Sequence, residues 1–303
     1  MKLRFATLDV FTETRFAGNP LAVVHDADGL SDEQMQAVAR EFNLSETVFV
    51  MAPERPVHAA KVRIFTPAAE LPFAGHPTVG TAIHLAALKR QDAEAAHEAI
   101  VALEEKIGTV RVGVRFAPNR APFAEFDVPQ LPQEIGEAPS VERIADALDL
   151  LPSEIGFQNH KPARYSAGVP FTYVPVVSRE AIARARPNMQ AWSAAFGSAG
   201  HNAAYVYTRE TVHATSSFHA RMFAPGGGIY EDPATGSAVA GFASVVMRFD
   251  TPMEGWHRRI VEQGYEMGRP SEIALSLEVQ QNQLETVRIG GGAVPISEGT
   301  IEV

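Results

Sequence analysis

The sequence predicts an α+β protein of two pseudo-symmetric domains. Each is a curved, barrel-like, mostly antiparallel sheet wrapped around a central apolar helix. Three observations carry this. First, Arg63-Ile64-Phe65-Thr66-Pro67 is echoed by Arg221-Met222-Phe223-Ala224-Pro225. Each copy leads through a loop to a glycine and a polar residue, Gly75-His76 and Gly236-Ser237, and then to an apolar helix. One such match is weak, but two at similar places in two halves indicate a duplication. Second, both helices are apolar on nearly all sides. The first carries Val79, Ala82, Ile83, Leu85, Ala86 and Leu88, and the second runs Ala238-Val239-Ala240-Gly241-Phe242-Ala243-Ser244-Val245-Val246-Met247. A helix hydrophobic all round must be enclosed. Third, the remaining pattern is mostly short strands, the material of an enclosing sheet.

In chain order, residues 3–11 alternate like a strand, Phe16-Ala17-Gly18-Asn19-Pro20 reads as a turn, and 21–24 is a short strand. Ser31-Asp32-Glu33-Gln34 is a capping box. It opens a helix with Met35, Val38, Ala39 and Phe42 on one face. Strands are expected at 46–51 and 57–65, a loop at 66–76 and the first apolar helix at 78–89. A polar helix tail or loop covers 91–98. A hairpin of 100–103 with 109–116 then turns at Lys106-Ile107-Gly108. The proline-rich stretch 117–139 shows no helical pattern and is the expected domain crossing, giving domains 1–122 and 123–292. Ser140 caps a helix with Val141, Ile144, Ala145 and Leu148 on one face, and Pro152 closes it. Strands at 171–177, 203–208 and 213–223, a short helix at 188–196, and strands at 272–279, 286–289 and 300–303 complete the reading.

Length and composition bound the function. The chain has 303 residues, long enough for two cores. Its formal net charge of −10 argues against electrostatic nucleic-acid binding. With no cysteine there are no disulfides, zinc–thiolate sites, iron–sulfur clusters or thiol catalysts. The N-terminus lacks the apolar core of a signal peptide, and the uncharged run 71–88 is broken by prolines and glycines. The expectation is a cytoplasmic protein with no membrane partner. The histidines show no HxxxH or HExxH spacing, so no metal is expected. Gly226-Gly227-Gly228 lacks the lysine and Ser/Thr of a phosphate loop, so no nucleotide signature is present.

The candidate chemistry gathers at the two helix starts. Such a start presents backbone N–H groups and a favourable dipole to an anion. If the domains face each other, both starts converge on one cleft and grip a carboxylate there. His76 at the first start reads either as a structural hydrogen-bonder or as a catalyst. Ser237 alone is a first-turn residue, which the echo of His76 raises to a substrate contact. Glu231 and Asp232 stand just before the second start, where a bound anion makes acids unexpected; Asp232 as a helix cap is the simpler reading. Glu46, flanked by apolar residues, is either a solvent-exposed turn glutamate or a desolvated carboxyl suited to general acid–base work near neutral pH.

These residues carry a resemblance. Asp9-Val10-Phe11 with Phe16-Ala17-Gly18-Asn19-Pro20, Asn43-Leu44-Ser45-Glu46-Thr47 and Arg63 through Thr78 are its first-half pieces. Arg221 through Ala238, Gln263-Gly264 and Met267-Gly268-Arg269-Pro270 complete it across nearly the whole chain. The chain resembles the phenazine-biosynthesis isomerase (PhzF-like) family. The resemblance implies the diaminopimelate epimerase-like fold and a cofactor-free, metal-free homodimeric enzyme with its site between the domains. It implies Glu46 as general acid/base, His76, Asp232 and Ser237 as companions, and Gly75 and Gly236 as backbone donors. In that fold the last strand often returns to the first domain, which places 293–303 there. Related epimerases use two opposed thiols at the helix starts, where this chain has His76 and Ser237. Two-base inversion is therefore disfavoured, and a hydrogen-shift isomerisation of a small carboxylic acid is expected. Two other classes remain open: a non-catalytic metabolite-binding protein on the same scaffold, and a Ser237 hydrolase, which no GxSxG elbow supports.

Overall fold

In the first unit a ring of strands closes around one helix. A computed structural model describes residues 1–90, 95–197, 203–227 and 229–303. The chain divides into Met1–Pro129 with Gly290–Val303, and Gln130–Ile289. Along the first unit run β1 (Lys2–Val10), β2 (Asn19–Val24), α1 (Asp32–Phe42), β3 (Glu46–Met51), β4 (Ala60–Phe65), β5 (Glu70–Leu71), α2 (Gly75–Lys89), β6 (His97–Glu105), β7 (Gly108–Phe116) and β8 (Phe123–Asp127). The second unit has β9 (Gln133–Glu134), α3 (Val141–Leu148), β10 (Ala163–Ser166), β11 (Pro170–Pro175), α4 (Arg179–Arg184), α5 (Met189–Phe196) and β12 (Ala203–Thr208). It continues through β13 (Phe218–Ala224), β14 (Ile229–Asp232), α6 (Gly236–Asp250), β15 (Gly255–Gln263) and β16 (Ser271–Gln280), and β17 (Gln283–Glu302) runs on into the first unit.

The two units share one internal pairing plan. In the first, β1–β2 is antiparallel, β2–β3 parallel, β3–β4 and β4–β5 antiparallel, β4–β6 parallel and β6–β7 antiparallel. In the second, β10–β11, β11–β12, β12–β13, β13–β14, β13–β15 and β15–β16 repeat that series in the same senses. In the first unit β7–β8, β8–β17 and β17–β1 close an eight-stranded barrel. The predicted fold class is the observed one.

Each central helix is buried because the sheet leaves it no wet side. In α2 every residue from Gly75 to Ala86 is buried, and α6 buries its residues nearly as completely. Outside the first barrel, the capping box of Ser31 with Gln34 starts α1 as expected, and Met35, Val38 and Ala39 pack beneath Phe49 and Phe65. In the second unit Ile144, Ala147 and Leu148 of α3, Ile182 of α4 and Trp192 of α5 pack on Val174, Val206 and Phe223.

Several expectations change. Residues 91–94 of the expected polar tail, and Gly228, lie outside the described residues, while His97 and Glu98 already belong to β6. Residues 213–217 are not strand. Ser216 N–H donates to the His213 carbonyl, and Glu262 takes the N–H groups of Val212 and His213, so this segment cannot ladder. The two strands expected at 286–289 and 300–303 are one continuous strand. A Cβ on Gly290 would meet the Ala124 carbonyl at 2.7 Å and one on Gly292 the Thr12 carbonyl at 2.8 Å. Close backbone approach, not a turn, requires glycine there. The stretch read as a proline-rich crossing contains β8, which pairs with β7 and keeps residues up to Pro129 in the first unit.

Both central helices also carry a mid-helix glycine pressed by the wall. A Cβ on Gly80 would lie 2.6 Å from Leu21 Cδ2, and one on Gly241 would lie 2.0 Å from the Tyr173 hydroxyl oxygen. Tyr173 is fully buried and donates to the Ala238 carbonyl at 2.8 Å, so it has little room to retreat. Gly241→Ala is therefore expected to destabilise the protein by about 1–3 kcal/mol despite its better helix propensity. Urea denaturation checks this, and an unchanged or raised midpoint contradicts the packing argument.

Candidate active site

In the first unit, the helix start is shaped by the segment between β1 and β2. Asp9, buried on β1, accepts the Phe16 N–H at 2.6 Å. Gly18 has φ +66°, and a Cβ there would meet the Val10 carbonyl at 2.3 Å. This explains the Phe16-to-Pro20 motif: it delivers the Pro20 carbonyl to the His76 ring, which donates an N–H to it. Glu46 opens β3, in register with Leu21 of the adjoining parallel strand. Its Oε2 lies 3.2 Å from His76 Nε2, with 12% of the glutamate side chain and 6% of the histidine side chain exposed. Glu46 is thus not a solvent-exposed turn residue. Burial, opposed weakly by the Pro20 bond, depresses the His76 pKa to about 3, so the ring is neutral at ordinary pH. With one ring nitrogen donating to Pro20, the nitrogen facing Glu46 is the lone-pair acceptor, by hydrogen-bond logic.

The start of α2 has no side-chain cap. Ala74 is its N-cap and no acid lies in the first turn. The Gly75 and His76 N–H groups therefore open a helix with no side-chain cap and no acid of its own first turn.

In the second unit, Thr235, not Asp232, is the N-cap of α6, again with no side-chain cap bond and no acid in the first turn. Asp232 ends β14, is buried, and accepts the Thr235 hydroxyl at 2.6 Å. Its plain reading as a helix cap is corrected: its partner is the cap residue's hydroxyl. Glu231 is also explained. It binds Arg221 through two hydrogen bonds of 2.8 Å, and Arg63 binds Glu70 in the same two-pronged way. The echoed arginines are structural clamps for β4–β5 and β13–β14.

Gln263, fully buried, holds the turn before α6. Its amide donates to the Asp232 carbonyl at 2.7 Å and to Thr235 Oγ1 at 3.0 Å, while its oxygen accepts the Thr235 N–H at 3.2 Å. The Tyr205 hydroxyl donates to the same oxygen at 3.2 Å. Gly264 has φ +80°, and a Cβ on it would strike the Pro233 carbonyl at 2.5 Å. Ser271 Oγ reaches that same carbonyl at 3.0 Å. Gly236 and half-buried Ser237 then open α6. Gln263-Gly264, Pro20 and Thr235 lie in motifs whose roles their chain neighbours do not reveal, and nothing in the sequence singles out Tyr205; their contacts are long-range or within a turn.

The structure brings Glu46 and His76 together, with Gly75 beside them in the chain, and places Asp232 with Thr235 ahead of Gly236 and Ser237. Strand register adds an asymmetry. Thr47 faces Phe65, as Ala204 faces Phe223, so the counterpart of Glu46 in the second unit is Ala203. Among the described residues no three His, Asp or Glu side chains gather to hold a metal ion.

An apolar helix inside a curved sheet, present twice and with polar residues at each helix start, defines the epimerase-like class of small-molecule isomerases. The family model described as phenazine biosynthesis-like protein matches residues 8–299, and the chain belongs to that family. An uncharacterized isomerase of Mesorhizobium japonicum is 52% identical, covering 97% of this chain and 96% of its own. The trans-2,3-dihydro-3-hydroxyanthranilate isomerase of Pseudomonas chlororaphis is 35% identical over 98% of both. The crystal structure of a Bacillus anthracis phenazine biosynthesis protein of the PhzF family superposes with a TM-score of 0.89 at 26% identity, covering both chains fully. The chain is an isomerase, and the metabolite-binding and hydrolase alternatives give way to that class.

The depressed His76 pKa has a stability consequence. Its folded value, about 3, lies below the usual 6.5, so the unfolded chain binds the proton first as pH falls. The resulting loss of stability begins below pH 6.5 and grows toward pH 3. His76→Asn, which stays neutral, is expected to flatten that acid limb. Denaturant titrations at stepped pH measure it, and an acid limb of unaltered slope contradicts the buried neutral ring.

Proposed function

We propose that this isomerase moves a hydrogen within a small, cyclic or unsaturated carboxylic acid, with Glu46 as the general acid/base. The observation that carries the reading is the buried Glu46 carboxyl 3.2 Å from the acceptor nitrogen of a neutral His76. As a carboxylate Glu46 takes a proton from carbon; the ring lone pair then accepts the new O–H as a hydrogen bond without itself competing as an acid, and Glu46 returns the proton elsewhere on the same substrate face. Since Ala203 stands at the counterpart position, the duplicated scaffold supplies one such group. That favours a one-base hydrogen shift over two-base stereoinversion, as does the absence of cysteine.

In this reading the substrate carboxylate is held at the helix starts, by the N–H groups of Gly75 and Gly236 with Ser237. Asp232 takes a substrate amino or hydroxyl group. In this reading the enzyme is a homodimer in the cytoplasm, and it works without cofactor or metal. The substrate named for the Pseudomonas chlororaphis relative bears a carboxylate, an amino group and a hydroxyl, which suits this set of donors and acceptors.

The test begins with turnover of trans-2,3-dihydro-3-hydroxyanthranilate and a thermal-shift panel of cyclic and aromatic carboxylates. On whichever compound turns over, Glu46→Gln is expected to reduce kcat by about 10²–10⁴-fold with the melting temperature maintained. Activity within tenfold of the parent sinks the assignment. In deuterated water the product is expected to carry some solvent label, since a single carboxyl exchanges its proton between removal and return.

A further inference from the structure

The duplication extends to a buried carboxyl that the site description has not used. Register fixes the correspondence. Lys61 on β4 faces Glu104 on β6, and His219 on β13 faces Glu262 on β15. Glu104 accepts the N–H groups of Glu54 and Arg55 and contacts the His58 ring, folding the segment before β4. Glu262 does the same for the segment before β13, through the N–H groups of Val212 and His213. The next residue on each strand is then equivalent too. In the second unit it is Gln263, the clamp of the helix start. In the first it is Glu105.

Glu105 is buried, with Oε1 2.7 Å from Thr78 Oγ1, in the first turn of α2. Thr78 Oγ1 also lies 2.8 Å from the carbonyl of Ala74, the N-cap. A threonine hydroxyl has one proton, and here it has two oxygens to serve. If Thr78 donates to Ala74, the hydrogen on the other side must come from the carboxyl. Oε2 of Glu105 is buried with no hydrogen-bond partner, which a carboxylate tolerates far less well than a carboxylic acid.

We propose that Glu105 is a positioning residue held as a neutral carboxylic acid, which donates to Thr78 Oγ1 and through it fixes the Ala74–His76 start of α2, as Gln263 fixes the start of α6. Burial raises the Glu105 pKa to about 8, with the Thr78 bond pulling weakly the other way. Asp32, Glu54, Arg55, His58, Lys61, Arg63, Glu70, Glu104 and Lys106 line the same cavity, and α2 meets Glu105 through Thr78. The shift is set by burial, not by any of these charges. A neutral acid also leaves the helix start its positive potential, which a carboxylate beneath it would cancel. The positioning role rests on the site reading above, whereas the protonation state does not.

Three variants separate the possibilities: Glu105→Gln, Glu105→Leu and Thr78→Val. Glu105→Gln supplies the amide that Gln263 already uses. It is expected to keep the ¹⁵N resonances of the His76 ring in place and to remove a carboxylic-acid C=O stretch from the neutral-pH infrared difference spectrum. Its melting temperature is expected to match the parent at acidic pH and exceed it increasingly from pH 4.5 toward 8, the range in which the parent's unfolded chain gives up this proton while the folded carboxyl keeps it. Glu105→Leu and Thr78→Val are expected to shift the His76 ring signals. A Glu105→Gln protein that loses stability at alkaline pH, or shows no loss of an acid stretch, overturns the neutral-acid assignment. Unshifted His76 signals in both Leu and Val variants overturn the positioning role. None of these readouts requires turnover, so a failed substrate assignment would leave them interpretable.

Discussion

A helix enclosed on every side by a sheet has one end buried with it, and the backbone N–H groups at that end have no intrahelical acceptor. Everything notable about this molecule follows from how that end is managed twice. Neither α2 nor α6 has a side-chain cap on its N-terminal N–H groups. The turns leading into them are instead held by their carbonyls, by side chains of the barrel wall at α6 and by a threonine of the helix itself at α2. Gln263 and Ser271 grip the carbonyls of Asp232 and Pro233, and Thr78 with Glu105 grips that of Ala74. Holding the turn by its carbonyls leaves the amides uncapped by side chains. A helix start arranged this way is rigid and still electrostatically open to an anion.

The duplication supplies scaffold and withholds chemistry. Two arginine–glutamate clamps, Arg63 with Glu70 and Arg221 with Glu231, occupy matching places and brace matching hairpins. Matching mid-helix glycines, Gly80 and Gly241, let the wall close on each helix. Among the residues that differ between copies are those at and beneath the helix starts: Glu46 against Ala203, His76 against Ser237, and Glu105 against Gln263. Burial then sorts these groups. It keeps the His76 ring neutral and pushes the Glu105 carboxyl toward its acid form, so two titratable side chains lie at one helix start without adding charge there.

Much of the fold was legible because it rests on local signals. The capping box at Ser31, the apolar helices α2 and α6, and the short apolar runs of β3 and β12 are written in consecutive residues. What went unread depends on distant partners. Residues 213–217 look like strand until Glu262 takes the N–H groups they would ladder with. The single strand over 283–302 depends on glycines at 290 and 292 that let the backbones of residues 124 and 12 come close. The candidate site divides the same way. Glu46, His76, Asp232 and Ser237 stood out by their neighbours in the chain, whereas Thr235, Tyr205 and Glu105 matter only through contacts that the chain makes on folding.

The sequence by itself determined that two similar halves exist, that each must wrap an apolar helix, and that thiol chemistry is absent. These depend on composition and period, which need no partner to be read. Only the tertiary structure decided that Glu46 is buried against His76, that Asp232 serves Thr235 rather than capping α6, and that Glu231 belongs to Arg221. The reason is physical. The state of a carboxyl is set by its solvation and by its nearest donors, and those come from strands and loops far away in the chain.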